Sequence, residues 1–168
     1  MDSLFRNRRA VNIAAALLCF GLVAYALYSQ QFQGLTPCPL CIFQRIGITA
    51  LGVTFVLAAL PGEPQVFLRR ATLALVLLAA VSTAGVAVRH LYIQALPADR
   101  VPVCGATLDY MLDVFPLTDV LRKVLTGSGE CHKVDWTFLG LAMPAWVLIW
   151  MVVLGSLGLA TNARGVRR

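Results

Sequence analysis

Charge is scarce in this chain and almost missing from its longest apolar stretches. Only 13% of its 168 residues are Asp, Glu, Lys or Arg, and four long apolar runs hold one charged residue between them, Arg45. Soluble domains carry about 25% charged residues, so a water-facing globule is excluded. Histidine is scarce too. With two in the chain and no second close pair of Cys or His ligands, no metal site is expected. No glycine-rich phosphate loop is present, which leaves a soluble nicotinamide cofactor without a seat. The basic residues sit in short clusters without interleaved aromatics or a domain to carry them, so the net charge of +6 does not signal nucleic-acid binding.

What the chain does have is hydrophobicity, at 59% of residues and a mean hydropathy of +0.78. It is concentrated in residues 10–28, 42–60, 71–88 and 139–160, runs of 18 to 22 residues. A helix rising about 1.5 Å per residue needs ~20 residues to cross ~30 Å of hydrocarbon. The expected fold is therefore an all-α membrane protein, a four-transmembrane-helix bundle in the lipid bilayer, with 1–168 forming a single domain. The first run follows a basic stretch and contains Ala24-Tyr25-Ala26, yet it is longer than a signal-peptide core and is expected to be retained. Cys19, in the middle of that run, reads as a small packing residue.

Orientation follows from the basic residues beside the runs. Arg6, Arg8, Arg9, Arg69, Arg70, Arg164, Arg167 and Arg168 fall on one side and face only Asp2 and Glu63. The positive-inside rule makes that side cytoplasmic and puts both termini there. The external loops are then about 29–41 and 89–138. Cys38, Cys41, Cys104 and Cys131 all map to the external side, where disulfides persist.

Thr36-Pro37-Cys38-Pro39-Leu40-Cys41-Ile42-Phe43-Gln44-Arg45 is the stretch with chemistry. With Thr36 as a cap and Pro37 as the first helical residue, both thiols lie in a first helical turn, where unpaired N–H groups and the helix dipole favour thiolate. Arg45 lies four residues beyond Cys41, one turn along the same face. An arginine within an apolar run costs at least ~2.5 kcal/mol on insertion scales, so Arg45 needs a partner, a cavity or the interface. A lone CxxC also suits a metal pair or an inert disulfide.

Residues 29–37 read as a short glutamine-rich connector, and Arg89-His90 ends the third run at the level of the CxxC. In the second external segment, apolar residues at 117, 120, 121, 124 and 125 have the spacing of a short amphipathic helix at the membrane interface. Gly127-Ser128-Gly129 then leads into Cys131, and the adjoining His132 reads as a solvated loop residue. Four cysteines allow three connectivities; the simplest pairs the CxxC with itself and leaves Cys104 with Cys131.

These residues together resemble the bacterial inner-membrane disulfide bond formation protein B (DsbB) family. The Cys-Pro-Leu-Cys followed by Arg45, the loop pair Cys104 and Cys131, and the string Trp136-Thr137-Phe138-Leu139-Gly140-Leu141-Ala142-Met143-Pro144-Ala145-Trp146 carry the resemblance, which covers nearly the whole chain. Gln44 stands where some members carry Glu. The resemblance implies a quinone-dependent thiol oxidoreductase that reoxidises a periplasmic DsbA-like oxidase. It implies that Cys104 forms the mixed disulfide with that partner and that Cys131 passes electrons to Cys38. It further implies that Cys41 contacts a quinone, ubiquinone or menaquinone from the membrane pool, held by Arg45 and His90. The competing readings are a four-span scaffold stapled by structural external disulfides and a metal transporter. The transporter would need polar residues deep in several runs, where only Arg45 is charged.

Overall fold

A computed structural model describes residues 8–60, 66–97, 113–114, 116, 118–120, 129–134 and 136–163. Four helices dominate: α1 (Arg8–Phe32), α2 (Pro39–Ala59), α3 (Val66–Gln94) and α4 (Met143–Ala163). Each is long and apolar enough to cross a membrane, so the chain is a multi-pass membrane protein of all-α class. Cys104, Arg6, Arg164, Arg167 and Arg168 lie outside the described residues, as does most of the expected interfacial helix over 117–125.

All four helices depart from the apolar runs at their ends. α1 continues to Phe32, so Ser29 and Gln30 are helical rather than part of a connector. Polar residues lower hydropathy without breaking a helix, which is why composition alone ended that run early. α3 begins before residue 71 and ends after 88 for the same reason, taking in Arg69, Arg70, Arg89 and His90. α2 starts at Pro39, with Cys38 as its extended N-cap (φ −69°, ψ 162°), not at Pro37 after a Thr36 cap. Pro39 takes the first helical position, where a missing N–H costs nothing.

The fourth run does not start as helix. Thr137–Phe138 (β1) and Leu141–Ala142 (β2) form a small antiparallel hairpin in which Thr137 pairs with Ala142 and Phe138 with Leu141. Its two-residue turn has positive φ at both Leu139 (51°) and Gly140 (78°), the backbone of a tight hairpin turn. Apolar residues 139–142 satisfied the hydropathy pattern, but that turn keeps them out of the helix.

α1 packs on α2, α2 on α3 and α3 on α4, while the seam between α1 and α4 is light. Large side chains such as Leu17, Phe67, Leu78 and Val152 point outward, as a lipid-facing surface requires. Inside, small residues let the backbones approach. A Cβ on Gly158 would meet the Phe55 ring at 2.8 Å, and one on Gly155 would meet Ala80 Cβ at 2.9 Å. Cys19 belongs to this core with Ala15, Ala16, Leu51, Phe55 and Met151.

Near the start of α1 and the end of α4 the interior is polar. Asn12 and Asn162 are buried and exchange amide hydrogen bonds of 3.3 and 3.1 Å. Arg8 Nε donates to Asn162 Oδ1 (2.9 Å) and its Nη2 to the Ala58 carbonyl (3.2 Å), so α1, α2 and α4 are tied together.

Candidate active site

The thiols gather at the other end of the bundle. Capping places Cys38: its Sγ accepts the Cys41 N–H at 3.4 Å, closing the first turn of α2. Its thiol then donates to Cys41 Sγ at 3.3 Å, so the two cysteines meet as neighbouring thiols with Cys41 sulfur as acceptor. Hydrogen bonds with the Cys131 and Cys41 thiols, together with burial, hold the Cys38 thiol above the ordinary thiol range. A 3-10 turn, Gly129–His132, sets Cys131 against this pair. Cys38, Leu40, Ile93, Val120 and Cys131 form one buried apolar cluster.

His90 completes the group. It is 2% exposed, with Nε2 3.8 Å from Cys38 Sγ and 3.2 Å from the Cys131 carbonyl oxygen. A carbonyl only accepts, so Nε2 carries the proton; Nδ1 accepts from the buried Gln44 amide at 3.2 Å. His132 is likewise tied rather than solvated, with Nδ1 donating to the Ile93 carbonyl at 3.0 Å. Those two histidine contacts hold the Cys131 turn on α3. Val120, the buried end of the described helical residues 118–120, covers the cluster and meets protein.

Beside the thiols, where α1 and α4 pack lightly, lies an apolar cavity of about 450 Å³. Leu22, Val23, Tyr25 and Ala26 of α1, Cys41, Gln44, Arg45 and Ile48 of α2, and Met143, Trp146, Val147 and Trp150 of α4 line it, together with Trp136 and Phe138. Its aromatic residues also contact one another and the hairpin backbone. Trp136 meets Tyr25 edge-on at 6.2 Å and Phe138 at 6.1 Å, and Trp146 Nε1 donates to the Phe138 carbonyl at 3.1 Å. A smaller crevice lined by Cys38 and His90 shares Cys41 and Arg45 with the cavity. Arg45 has the partner its position demanded: Nη1 donates to Gln30 (2.6 Å) and Nη2 to the Ala26 carbonyl (3.2 Å).

The structure thus brings together Cys38, Cys41, Cys131, Arg45 and His90, whereas His90 faces the thiols and the crevice rather than the larger cavity. Spacing could not show the part played by Gln30, because its segment reads as loop, nor that of Trp150; Trp136 and Trp146 enter the sequence reading only within the string that carries the resemblance. Although the sequence has no second close ligand pair, three ligands distant in sequence, Cys38, His90 and Cys131, converge in space.

A four-helix membrane bundle with a buried thiol cluster beside an apolar cavity has the parts a membrane thiol–disulfide oxidoreductase needs. Comparison with known proteins agrees. The family model "Disulfide bond formation protein DsbB" matches residues 8–161. Curated relatives named disulfide bond formation protein B include one from Xylella fastidiosa (strain Temecula1 / ATCC 700964), 41% identical over 168 residues, covering 100% of this chain and 97% of the relative. One from Chromobacterium violaceum is 44% identical over 162 residues (94% of this chain, 95% of the relative), and one from Acinetobacter baylyi is 46% identical over 128 (76% and 75%). The chain belongs to the DsbB family of disulfide-forming proteins.

Proposed function

We propose that the chain is a quinone-dependent thiol:disulfide oxidoreductase of the bacterial inner membrane, with both termini cytoplasmic, that reoxidises a periplasmic DsbA-like dithiol oxidase. The observation that carries this reading is the position of Cys41. Cys41 lines the 450 Å³ cavity, its sulfur is 3.3 Å from Cys38 Sγ, and Cys38 Sγ lies within 4.8 Å of Cys131 Sγ. Arg8, Arg9, Arg69 and Arg70 begin α1 and α3 at the opposite end, which supports a periplasmic thiol cluster.

The cavity suits a quinone ring. Its volume is within the ~300–1,000 Å³ of small-molecule sites, its walls are aromatic and aliphatic, and both helices of the light α1–α4 seam line it. Arg45 has five N–H donors and uses two on α1, which leaves donors for a carbonyl oxygen. When bound, a quinone supplies an acceptor for two electrons and two protons.

Adjacency supports the exchange among Cys131, Cys38 and Cys41, and the family resemblance supplies the step at Cys104. A thiolate of the reduced oxidase attacks Cys104 of a Cys104–Cys131 disulfide; the new bond forms at Cys104 and Cys131 leaves as thiolate. Cys131 then attacks Cys38 of a Cys38–Cys41 disulfide, and Cys41 leaves with the electron pair, facing the cavity. His90 Nε2–H, placed between Cys38 Sγ and the Cys131 carbonyl, stabilises negative charge on the sulfurs as they exchange. The oxidase's second thiol attacks its own sulfur in the mixed disulfide and releases Cys104 as thiolate; Cys104 then attacks Cys131 in the Cys131–Cys38 disulfide, which restores Cys104–Cys131 and frees Cys38. Loss of two electrons from the Cys38 and Cys41 thiolates restores their bond. In sum, one dithiol becomes a disulfide and one quinone becomes quinol.

Purified protein mixed with a reduced DsbA-like oxidase and a short-chain quinone tests this. Stoichiometric loss of quinone absorbance with oxidation of the partner is the expected result. Disulfides that resist the partner, with quinone unchanged, would support the scaffold reading instead.

A further inference from the structure

The side chains at the outer end of the bundle also make a ligand set for a soft metal ion. Cys38 Sγ, Cys131 Sγ and a His90 ring nitrogen lie within 4.8 Å of one another, and all three residues are buried. Zinc bonds of about 2.3 Å to sulfur and 2.0–2.1 Å to nitrogen place tetrahedral ligands about 3.6–3.8 Å apart. The Cys38 Sγ to His90 Nε2 distance of 3.8 Å already meets that spacing, and Cys41 Sγ stands 3.3 Å from Cys38 Sγ. We propose that the fully reduced chain binds one thiophilic divalent cation through Cys38, Cys131 and His90, with Cys41 as fourth ligand, and that the bound ion blocks the thiol relay.

Charge and solvation favour the site. Leu40, Ile93 and Val120 exclude water around the thiols, a setting in which bare thiolates are costly. A divalent cation balances two thiolates, and Arg45, one turn beyond Cys41, offsets a third. Each ligating thiol releases its proton to solvent, and no electron moves. His90 must present a lone pair at Nε2, so its proton shifts to Nδ1. A flip of the Gln44 amide then offers Oε1 to that N–H in place of the present Nε2 contact, the outer-sphere bond that ligating histidines need. Disulfide formation removes the ligands, so only the reduced protein binds.

The binding stands apart from the proposed function; the block rests on it. Zn²⁺ is titrated into reduced, desalted protein without quinone, against a chromophoric chelator, and the bound form is examined by X-ray absorption. We expect one Zn²⁺ per chain with a dissociation constant below about 1 µM, a shell of sulfur with one imidazole nitrogen, and at least tenfold weaker binding in Cys131→Ser and in His90→Ala. Protein oxidised with diamide should not bind. Affinity unchanged in both variants, or an oxygen-only shell, overturns the site. In the full reaction, one equivalent of Zn²⁺ should stop partner oxidation and a chelator restore it; turnover with zinc bound overturns the block. If zinc binds through sulfur but metal-free protein never reduces quinone, the proposed function falls and the site stands.

Discussion

Gln44 Nε2 lies 3.2 Å from His90 Nδ1, and on the other side of the same ring Nε2 lies 3.2 Å from the Cys131 carbonyl. The Gln44 amide on α2 and the Cys131 carbonyl therefore agree on the tautomer of a histidine on α3, whose Nε2–H goes to that carbonyl with the sulfur of Cys38 3.8 Å from the same nitrogen. The link runs from a wall residue of the cavity to the thiol cluster, because Gln44 lines the cavity as well.

Gln44→Leu removes the donor and leaves a buried ring nitrogen with one partner fewer, at about 1–3 kcal/mol. The Cys131 carbonyl still favours the Nε2–H form, so the expected result is a detectable share of the Nδ1–H form beside it and exchange at Cys38 slowed about tenfold, the equivalent of about 1.4 kcal/mol. With two histidines in the chain, nitrogen NMR of labelled histidine resolves the tautomers. A single Nε2–H form in the variant would show that Gln44 does not set the ring.

Cys131→Ser is expected to trap the partner. The sulfur that competes for Cys104 is gone, so a mixed disulfide with the soluble oxidase accumulates at Cys104 and electrons do not reach Cys38. Peptide mapping of the adduct under non-reducing conditions checks this. An adduct on Cys38 would reverse the order of the relay.

The four spans were legible because length and hydropathy measure what the bilayer demands, and the CxxC with Arg45 was legible because its members are one turn apart. The ends were not, since Ser29, Gln30, Arg69 and His90 are compatible with helix and only their polarity argued otherwise. Nor was the hairpin before α4, whose positive φ at Leu139 leaves no trace in an apolar run. The union of Cys38, His90 and Cys131 depends on α2, α3 and a distant turn meeting, which no local spacing encodes. Asn12 and Asn162 leave no local signal for the same reason: 150 positions separate two amides that serve each other.

Asn162→Leu is expected to destabilise the bundle by about 2–4 kcal/mol, because it strips acceptors from the Arg8 and Asn12 donors in a water-poor interior. Asn12→Leu with Asn162→Leu together should cost less than the sum of the two, since the pair then leaves no orphaned amide. Thermal unfolding in detergent of the two single variants and the double measures this, and strict additivity would mean that the amides do not act as a pair.

Cys19 is fully buried in the core, its Cβ 3.0 Å from where a Cβ on Gly52 would stand. Cys19→Ala keeps that Cβ, deletes one buried sulfur and touches no member of the relay. Partner oxidation should stay within about twofold of wild type while stability falls by about 1 kcal/mol. A cross-link between Cys19 and any other cysteine during turnover would contradict the assignment.

Arg45 is where packing and chemistry separate most cleanly. Its guanidinium ties α2 to Gln30 and the Ala26 carbonyl of α1 while facing the cavity one turn from Cys41. Arg45→Met keeps an unbranched side chain and removes a charge that the bilayer disfavours, so the span should insert at least as well. The lost bonds loosen α1 on α2 by about 1–3 kcal/mol. A purely structural role predicts lower thermal stability with an unchanged quinone dependence. A role at the carbonyl oxygen predicts a KM for quinone raised about tenfold or more and a lower turnover, because the donor that favours negative charge on that oxygen is gone. Exchange between Cys104 and the soluble partner should persist in a single turnover. A quinone titration run below the unfolding temperature of the variant separates the two, and wild-type KM and turnover there would remove Arg45 from the quinone site.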